Sequence, residues 1–396
     1  MNHIVATGVG VISPKVENIK DFLNVLQTGE NTLKENSTLM PHEKKSTILG
    51  IVENGLEEYQ NNPAYKRYSK AMLLGIKAAK EAIASANIDL TSKRVGLFVG
   101  TAIGGISEEG FLKSIALMEE DPNKMVTHFI HFANHHSLTS AIGHDLGIKG
   151  IEKTISTGCT SSLEAIEIAM LYLKNGLIDV AVVGGVDSAM SKTTNQAFIK
   201  NRSITINQTL EEGAIPFSKS SRGFAIAEAA AFLILEREED ALKRNVEILG
   251  EIEQVISNND GIGAFSTDTK GEQLKNLVQQ IAYNRKPDYV NSQALGIQIN
   301  DQIEKRCSKE VFNHEVPYTS IKAMVGNPFG AAGAIQVISG LLSIKYGFIP
   351  PTTKTQKLGY EEMFINTDIQ YKEINEILVT NHGLGGNNAV AYLKKV

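Results

Sequence analysis

Thr154-Ile155-Ser156-Thr157-Gly158-Cys159-Thr160-Ser161-Ser162-Leu163-Glu164-Ala165-Ile166-Glu167-Ile168-Ala169 is the stretch on which the fold turns. A short β-rich run ends at a corner of small residues, and an amphipathic helical pattern begins at once. The corner places the Cys159 thiol at a helix N-terminus. Unpaired backbone N–H groups and the helix dipole there are expected to favour a thiolate. Working outward, short strand-like runs alternate with longer helical ones. Strands are expected at Ile4–Ala6, Val95–Val99, Ile151–Ile155, Val180–Gly184, Ala229–Leu235, Tyr289–Asn291 and Ala389–Leu393. Helices are expected at Ile19–Thr28, Ser69–Ala86, Ser162–Asn175, Glu272–Asn284 and Ala331–Lys345. That alternation predicts an α/β protein with mainly parallel pairing. Ala229–Leu235, bounded by Glu228 and Glu236, reads as a strand buried on both faces. A boundary is expected near Arg244–Ile252, where charged residues precede a new apolar strand. Asn258–Gly263 reads as a loop.

With 396 residues the chain can bury one large core or two closely packed halves. A formal net charge of −5 supplies no basic field, so nucleic acid is not an expected partner. Two cysteines give no disulfide framework and suit a reducing, cytoplasmic setting. No run of about 18 consecutive apolar residues occurs, and the N-terminus lacks a cationic segment, so neither a membrane span nor a signal peptide is expected. Gly8-Val9-Gly10 follows a strand but has Ser13 and Pro14 where a dinucleotide site needs a third glycine and a helix. Thr101-Ala102-Ile103-Gly104-Gly105 lacks the lysine of a phosphate loop. Both are expected to be tight turns.

Five further segments occur in order with the Cys159 corner: Met1–Ser13; Val99–Ser107; Pro216-Phe217 through Gly223-Phe224-Ala225-Ile226-Ala227-Glu228; Ser320–Ala334; and Gly383-Leu384-Gly385-Gly386-Asn387-Asn388. Together they resemble the β-ketoacyl-ACP synthases of the type II, thiolase-fold group. The resemblance implies a five-layer αβαβα fold of two similar halves. Residues 1–250 would carry the nucleophilic cysteine, and 251–396 would carry Gln293, Lys322, Asn327 and the Gly-rich turn. It implies a homodimer, or a heterodimer with a ketosynthase paralogue. It also implies acyl carrier protein (ACP) as partner, and no cofactor beyond the phosphopantetheine arm that ACP carries.

The resemblance assigns roles residue by residue. Cys159 matches the acylated nucleophile, and the backbone N–H groups of Cys159 and Leu384 the oxyanion hole. Gln293 and Asn327 stand where the family has its two histidines. Their amides can donate hydrogen bonds to an enolate, but they cannot shuttle a proton near neutral pH. Lys322 matches a lysine that supports the site electrostatically. His382 departs from the usual Phe and is expected on the loop bordering the thiol, where it could act as the missing base. Phe129 aligns loosely with a residue lining the partner's acyl pocket. Lys66, Arg67 and Lys70 form a basic cluster of the kind that docks acidic ACP. Glu228 reads as a buried structural acid, and Cys307 as a helix residue with no activating context. His131, His135 and His136 have helical spacing, but no carboxylate or cysteine completes a metal site.

Three functions are compatible with this pattern. The first is acyl transfer to Cys159 followed by decarboxylative condensation with malonyl-ACP, in fatty acid or polyketide-type synthesis. The second is a non-elongating, chain-length-factor-like partner subunit. The third is acyl transfer to an amine or alcohol.

Overall fold

The computed structural model describes residues 3–41, 45–104, 111–264 and 266–396. Gly105-Ile106-Ser107, part of one motif, lie outside the described residues.

Ten strands make one continuous ladder. They are β1 (Ile4–Ile12), β2 (Val95–Gly100), β3 (Ile151–Ile155), β4 (Val180–Asp187), β5 (Ala229–Arg237), β6 (Gly250–Asn259), β7 (Tyr289–Asn291), β8 (Tyr318–Thr319), β9 (Glu376–His382) and β10 (Asn387–Lys394). Their order across the sheet is β8-β7-β9-β10-β6-β1-β5-β4-β2-β3. The ladder is two copies of one pattern. In the first half β3, β2 and β4 run parallel, and β5 and β1 join antiparallel. In the second half β8, β7 and β9 run parallel, and β10 and β6 join antiparallel. Chain order is the same in each, so the repeat that is invisible in the residues is explicit in the topology. Among the described residues, the two half-sheets join where Val5 and Ala6 of β1 pair with Glu251 and Gly250 of β6.

Helices complete the layers. Helices α1 (Lys70–Ser85) and α2 (His136–Asp145) cover one outer face. Helices α4 (Glu272–Ala282) and α5 (Gln298–Phe312) cover the other. Between the half-sheets lie α3 (Ser161–Lys174) and α7 (Ala332–Tyr346), which pack on each other. They are preceded by equivalent short turns, and a one-turn helix, α6 (Lys322–Val325), leads towards the second. This is a thiolase-type αβαβα arrangement. The segment Phe329–Tyr346 is long and apolar enough to cross a membrane, but 89% of it is buried inside the protein. It is the core helix that fills the space between two sheets.

Close approach in the middle layer depends on small side chains. A Cβ on Gly333 would lie 2.6 Å from Leu163, and one on Gly185 2.4 Å from the Gly330 carbonyl. Gly8 and Gly10 prove to be strand residues rather than turns. Both lie inside β1, where a Cβ would strike the Ala82 and Ala78 carbonyls of α1 at 2.2 and 2.1 Å. Their function is helix-on-sheet contact. Asn258 and Asn259 likewise belong to the end of β6, so the loop begins later than expected.

Candidate active site

The site lies where the carboxyl ends of β4, β7 and β9 meet the starts of α3 and α7. Gly158 adopts φ +77°, turning the chain so that Cys159 occupies a 3-10 turn immediately before α3. No side chain caps α3. Ser161 Oγ instead ties the corner together: it donates to the Thr101 carbonyl at 3.0 Å and accepts the Thr157 N–H at 3.0 Å. The Gly-rich turn closes over the thiol. A Cβ on Gly383 would lie 3.4 Å from Cys159 Sγ, so glycine lets the backbone reach the nucleophile. Asn387 Nδ2 holds the turn to the corner through the Thr157 carbonyl at 2.8 Å. Asn259 Nδ2 braces the turn through Gly385 O and Asn387 Oδ1, at 2.9 and 2.8 Å. The Leu384 side chain is 61% exposed and rides on the outside of this turn.

The helix N-terminus does not by itself produce a thiolate. Burial pushes the Cys159 thiol above its ordinary value, and the Asp187 carboxyl adds to that. Lys322 and a hydrogen bond with the Asn327 amide pull the other way. Desolvation is the largest of these effects, so the net shift is upward.

Gln293, Lys322 and Asn327 are all almost wholly buried, and the last two act on the Cys159 thiol. Asn327 is held by backbone bonds to Ala225 O and from Ala227 N, at 2.8 and 3.1 Å. Its Oδ1 has no partner. Neither amide atom of Gln293 is bonded, and neither is Lys322 Nζ. Burial lowers the Lys322 ammonium to about 8, opposed by its attraction to Cys159.

His382 does not serve the thiol as expected. It ends β9 almost fully buried, with Nε2 3.3 Å from Glu304 Oε1 and Nδ1 3.4 Å from Asn300 Nδ2. The residue before a turn that points its backbone at Cys159 sends its ring towards α5 instead. Glu304 also accepts the Thr380 hydroxyl at 2.8 Å and the Gln293 N–H at 3.3 Å.

Lys70 also differs. Its ammonium bonds Glu228 at 2.5 Å and the Val52 carbonyl at 2.7 Å. Glu228, fully buried, takes Ser188 Oγ and Val52 N–H as well. Lys70 is therefore the counter-ion of a structural acid, which leaves Lys66 and Arg67 as the surface cations of that cluster. Lys70→Met should destabilise the fold by about 3 kcal/mol, because it strands a buried carboxylate. Denaturant titration reads this, whereas Lys66→Ala with Arg67→Ala should leave the midpoint unchanged.

Phe129 lies on a short helix, Phe129–Ala133, and stacks on Phe111 at 5.1 Å. His135 bonds Ser156 Oγ at 3.0 Å. Cys307 is buried in α5 with its thiol pushed well up by desolvation. Among the described residues no group of His, Cys, Asp or Glu is arranged to hold a metal ion.

One organising residue went unnoticed in the sequence. Asp187, at the end of β4, accepts from Thr101 Oγ1 and from the N–H groups of Ala102, Ile103, Gly104 and Gly330. The available signal was an acid directly after the apolar run Val180–Val186.

Fold and site thus define a two-half α/β protein with a half-buried cysteine at the inner junction of its halves. The chain matches the beta-ketoacyl synthase N-terminal domain over residues 1–241 and the C-terminal domain over residues 249–356. It belongs to the beta-ketoacyl synthase family, the condensing transferases of fatty acid and polyketide synthesis. It is 26% identical to a putative polyketide beta-ketoacyl synthase 1 of Streptomyces halstedii, covering 99% of this chain and 97% of that one. It is 25% identical to 3-oxoacyl-[acyl-carrier-protein] synthase 2 of Staphylococcus aureus, with 99% and 98% covered. Among solved structures, a Beta-ketoacyl synthase from Burkholderia phymatum superposes with TM-score 0.87 at 19% identity over the full length of both chains. The ishigamide ketosynthase/chain length factor superposes with TM-score 0.86 at 22% identity, over 100% of this chain and 99% of that one. A type II polyketide ketosynthase in complex with its acyl-carrier protein and bound to the hexaketide superposes with TM-score 0.87 at 21% identity, over 100% of this chain and 99% of that one.

Proposed function

We propose that this protein is a working acyltransferase of the family: Cys159 takes an acyl chain from acyl-ACP and then condenses it with malonyl-ACP. The observation that carries the reading is the setting of Cys159, a half-buried thiol with the Gly383 backbone against it, the Asn327 amide bonded to it and the Lys322 ammonium acting on it. In the first step Sγ attacks the thioester carbonyl. The N–H groups of Cys159 and Leu384 hold the developing oxyanion, and the carrier thiol leaves. In the second, malonyl-ACP loses CO₂, its carbon attacks the acyl-Cys carbonyl, and the thiolate departs. Gln293 and Asn327 supply neutral amide donors to the enolate oxygen, so this step is expected to be slow compared with a site carrying imidazoles.

ACP is the partner, with Lys66 and Arg67 as its docking cations. A second ketosynthase-fold subunit completes the assembly. What supports pairing is β3, which is bonded on one side only, to β2, and leaves Glu152, Lys153 and Thr154 partly or fully open at the sheet edge.

The test is intact-protein mass spectrometry after incubation with acyl-ACP, alongside Cys159→Ala. The wild type should gain one acyl mass and the variant none. A correctly folded wild type that gains nothing would refute enzyme function and leave the non-elongating partner reading in its place.

A further inference from the structure

The acyl chain that Cys159 can hold depends on what packs beside it. Three phenylalanines from separate segments form a closed group of rings. Phe198 lies on the helix Lys192–Lys200, Phe224 follows the Gly223 turn, and Phe329 opens the turn Phe329–Ala331 that leads into α7. Each ring touches the other two. Phe198 and Phe329 stack at 5.3 Å with planes 26° apart, and Phe224 meets them edge-on at 5.6 and 5.9 Å. Rings at these spacings are in contact and leave no room for a methylene between them. Phe224 and Phe329 are buried, and Phe198 is partly so.

Two observations put this group beside the nucleophile. Cys159 packs against the apolar cluster to which Phe224 and Phe329 belong, and Phe198 packs on the same cluster. The turn Gly158–Thr160, which carries Cys159, also packs on the turn Phe329–Ala331. Phe329 is held in place. Its φ of +47° lies in the left-handed region that a phenylalanine rarely adopts. Asn327 before it is bonded to Ala225 and Ala227, and the Gly330 N–H after it donates to Asp187. A strained backbone locked from both sides points to a demand for that ring in that place.

We propose that Phe198, Phe224 and Phe329 form the end wall of the acyl site and restrict Cys159 to short-chain acyl groups, with acetyl the best accommodated. The inference rests on the reading of Cys159 as the acylated nucleophile and adds the substrate class. An acyl chain on Sγ leaves water along whatever apolar surface adjoins the sulfur. The Gly383 backbone and the Asn327 amide offer the thiol no such surface. Among the described residues, the apolar cluster that the thiol packs against is the one that holds the three rings. A short chain can lie against them, whereas a long one must turn a ring out of a close-packed interior.

The first measurement needs no carrier protein. Methyl and octyl methanethiosulfonate each transfer an S-alkyl group to a thiol and release methanesulfinate, so they probe the room beside Cys159 directly. Rates on the full chain are read by intact-protein mass spectrometry and divided by the rates for glutathione. Cys159→Ala reports any labelling of Cys307. The wild type should take the methyl reagent about tenfold faster than the octyl reagent, the penalty of forcing methylenes into a packed interior. Phe329→Ala should cut that preference several-fold. So should Phe198→Ala, which leaves the Asn327 loop untouched. Acetyl-ACP and octanoyl-ACP should show the same order of rates and the same response to the two variants.

Equal normalised rates for the two reagents on the wild type overturn the proposal without reference to any variant. So does a preference that survives unchanged in both variants when circular dichroism shows them folded. Adducts formed equally fast from acetyl-ACP and octanoyl-ACP would keep the proposed function and overturn the chain-length limit. A methyl preference that the variants relieve, with no adduct from either acyl-ACP, would remove the proposed function and leave the aromatic wall standing.

Discussion

Gln293→His with Asn327→His should raise decarboxylative condensation by about 10²-fold or more, the usual worth of the proton transfer and charge that an imidazole adds to the donation an amide already makes. Acylation of Cys159 should change only a few-fold. The Asn327 backbone is locked by Ala225 and Ala227, and Gln293 is fully buried yet bonds nothing through its side chain. An imidazole at either point would donate to the enolate as an amide does, and could in addition hold a positive charge. The measurement is single-turnover conversion of preformed acyl-enzyme with malonyl-ACP, following CO₂ and the β-ketoacyl product. Unchanged product formation from a fully acylated double variant would locate the limit elsewhere, in the pocket or in ACP delivery. It would also favour an acceptor other than malonyl-ACP.

That experiment depends on residues read from the sequence. Cys159, Gln293, Lys322 and Asn327 were legible because each sits beside small or extended residues that fix its backbone: Gly158, Asn291-Ser292, Ser320-Ile321 and Gly326. In the structure Lys322 and Asn327 act on the Cys159 thiol, and Gln293 is fully buried. What stayed hidden was direction. His382 is one residue from the backbone that touches Sγ, yet a strand alternates its side chains. Its ring therefore meets Glu304 on the α5 side rather than the thiol. The setting of the thiol is hidden for a similar reason: the helix end is visible in sequence, but the desolvation that pushes the thiol up is not. Gly8 and Gly10 show the same limit. Their spacing suggested a turn, and only the packing of α1 on β1 reveals why a side chain is excluded. The strand β9 escaped notice because its run Glu376-Ile377-Leu378-Val379 ends in Thr380-Asn381-His382. Those polar residues are buried, and tertiary partners rather than propensity keep them in the strand.

Asp187→Ala should be the most damaging single substitution outside the reacting groups, costing more than about 4 kcal/mol. The carboxylate is fully buried and collects five hydrogen bonds from two separate segments. Alanine would leave three consecutive loop N–H groups, the Gly330 N–H and the Thr101 hydroxyl to find new partners. Buried donors without partners cost about 1–3 kcal/mol each, and partial relaxation recovers only some of that. The consequence reaches the nucleophile. Asp187 fixes the Thr101 turn to the approach to α7, and the Thr101 carbonyl in turn anchors Ser161 at the Cys159 corner. Loss of stability in denaturant should therefore come with loss of acylation, even in the folded fraction. Asp187→Asn separates the two contributions. Its Oδ1 can accept part of the set while its amide N–H₂ opposes the rest, so an intermediate stability loss is expected. Asp187→Ala matching wild type in its denaturation midpoint would show that the loop draws its hold from elsewhere, and the chain of contacts from β4 to Cys159 would carry no load.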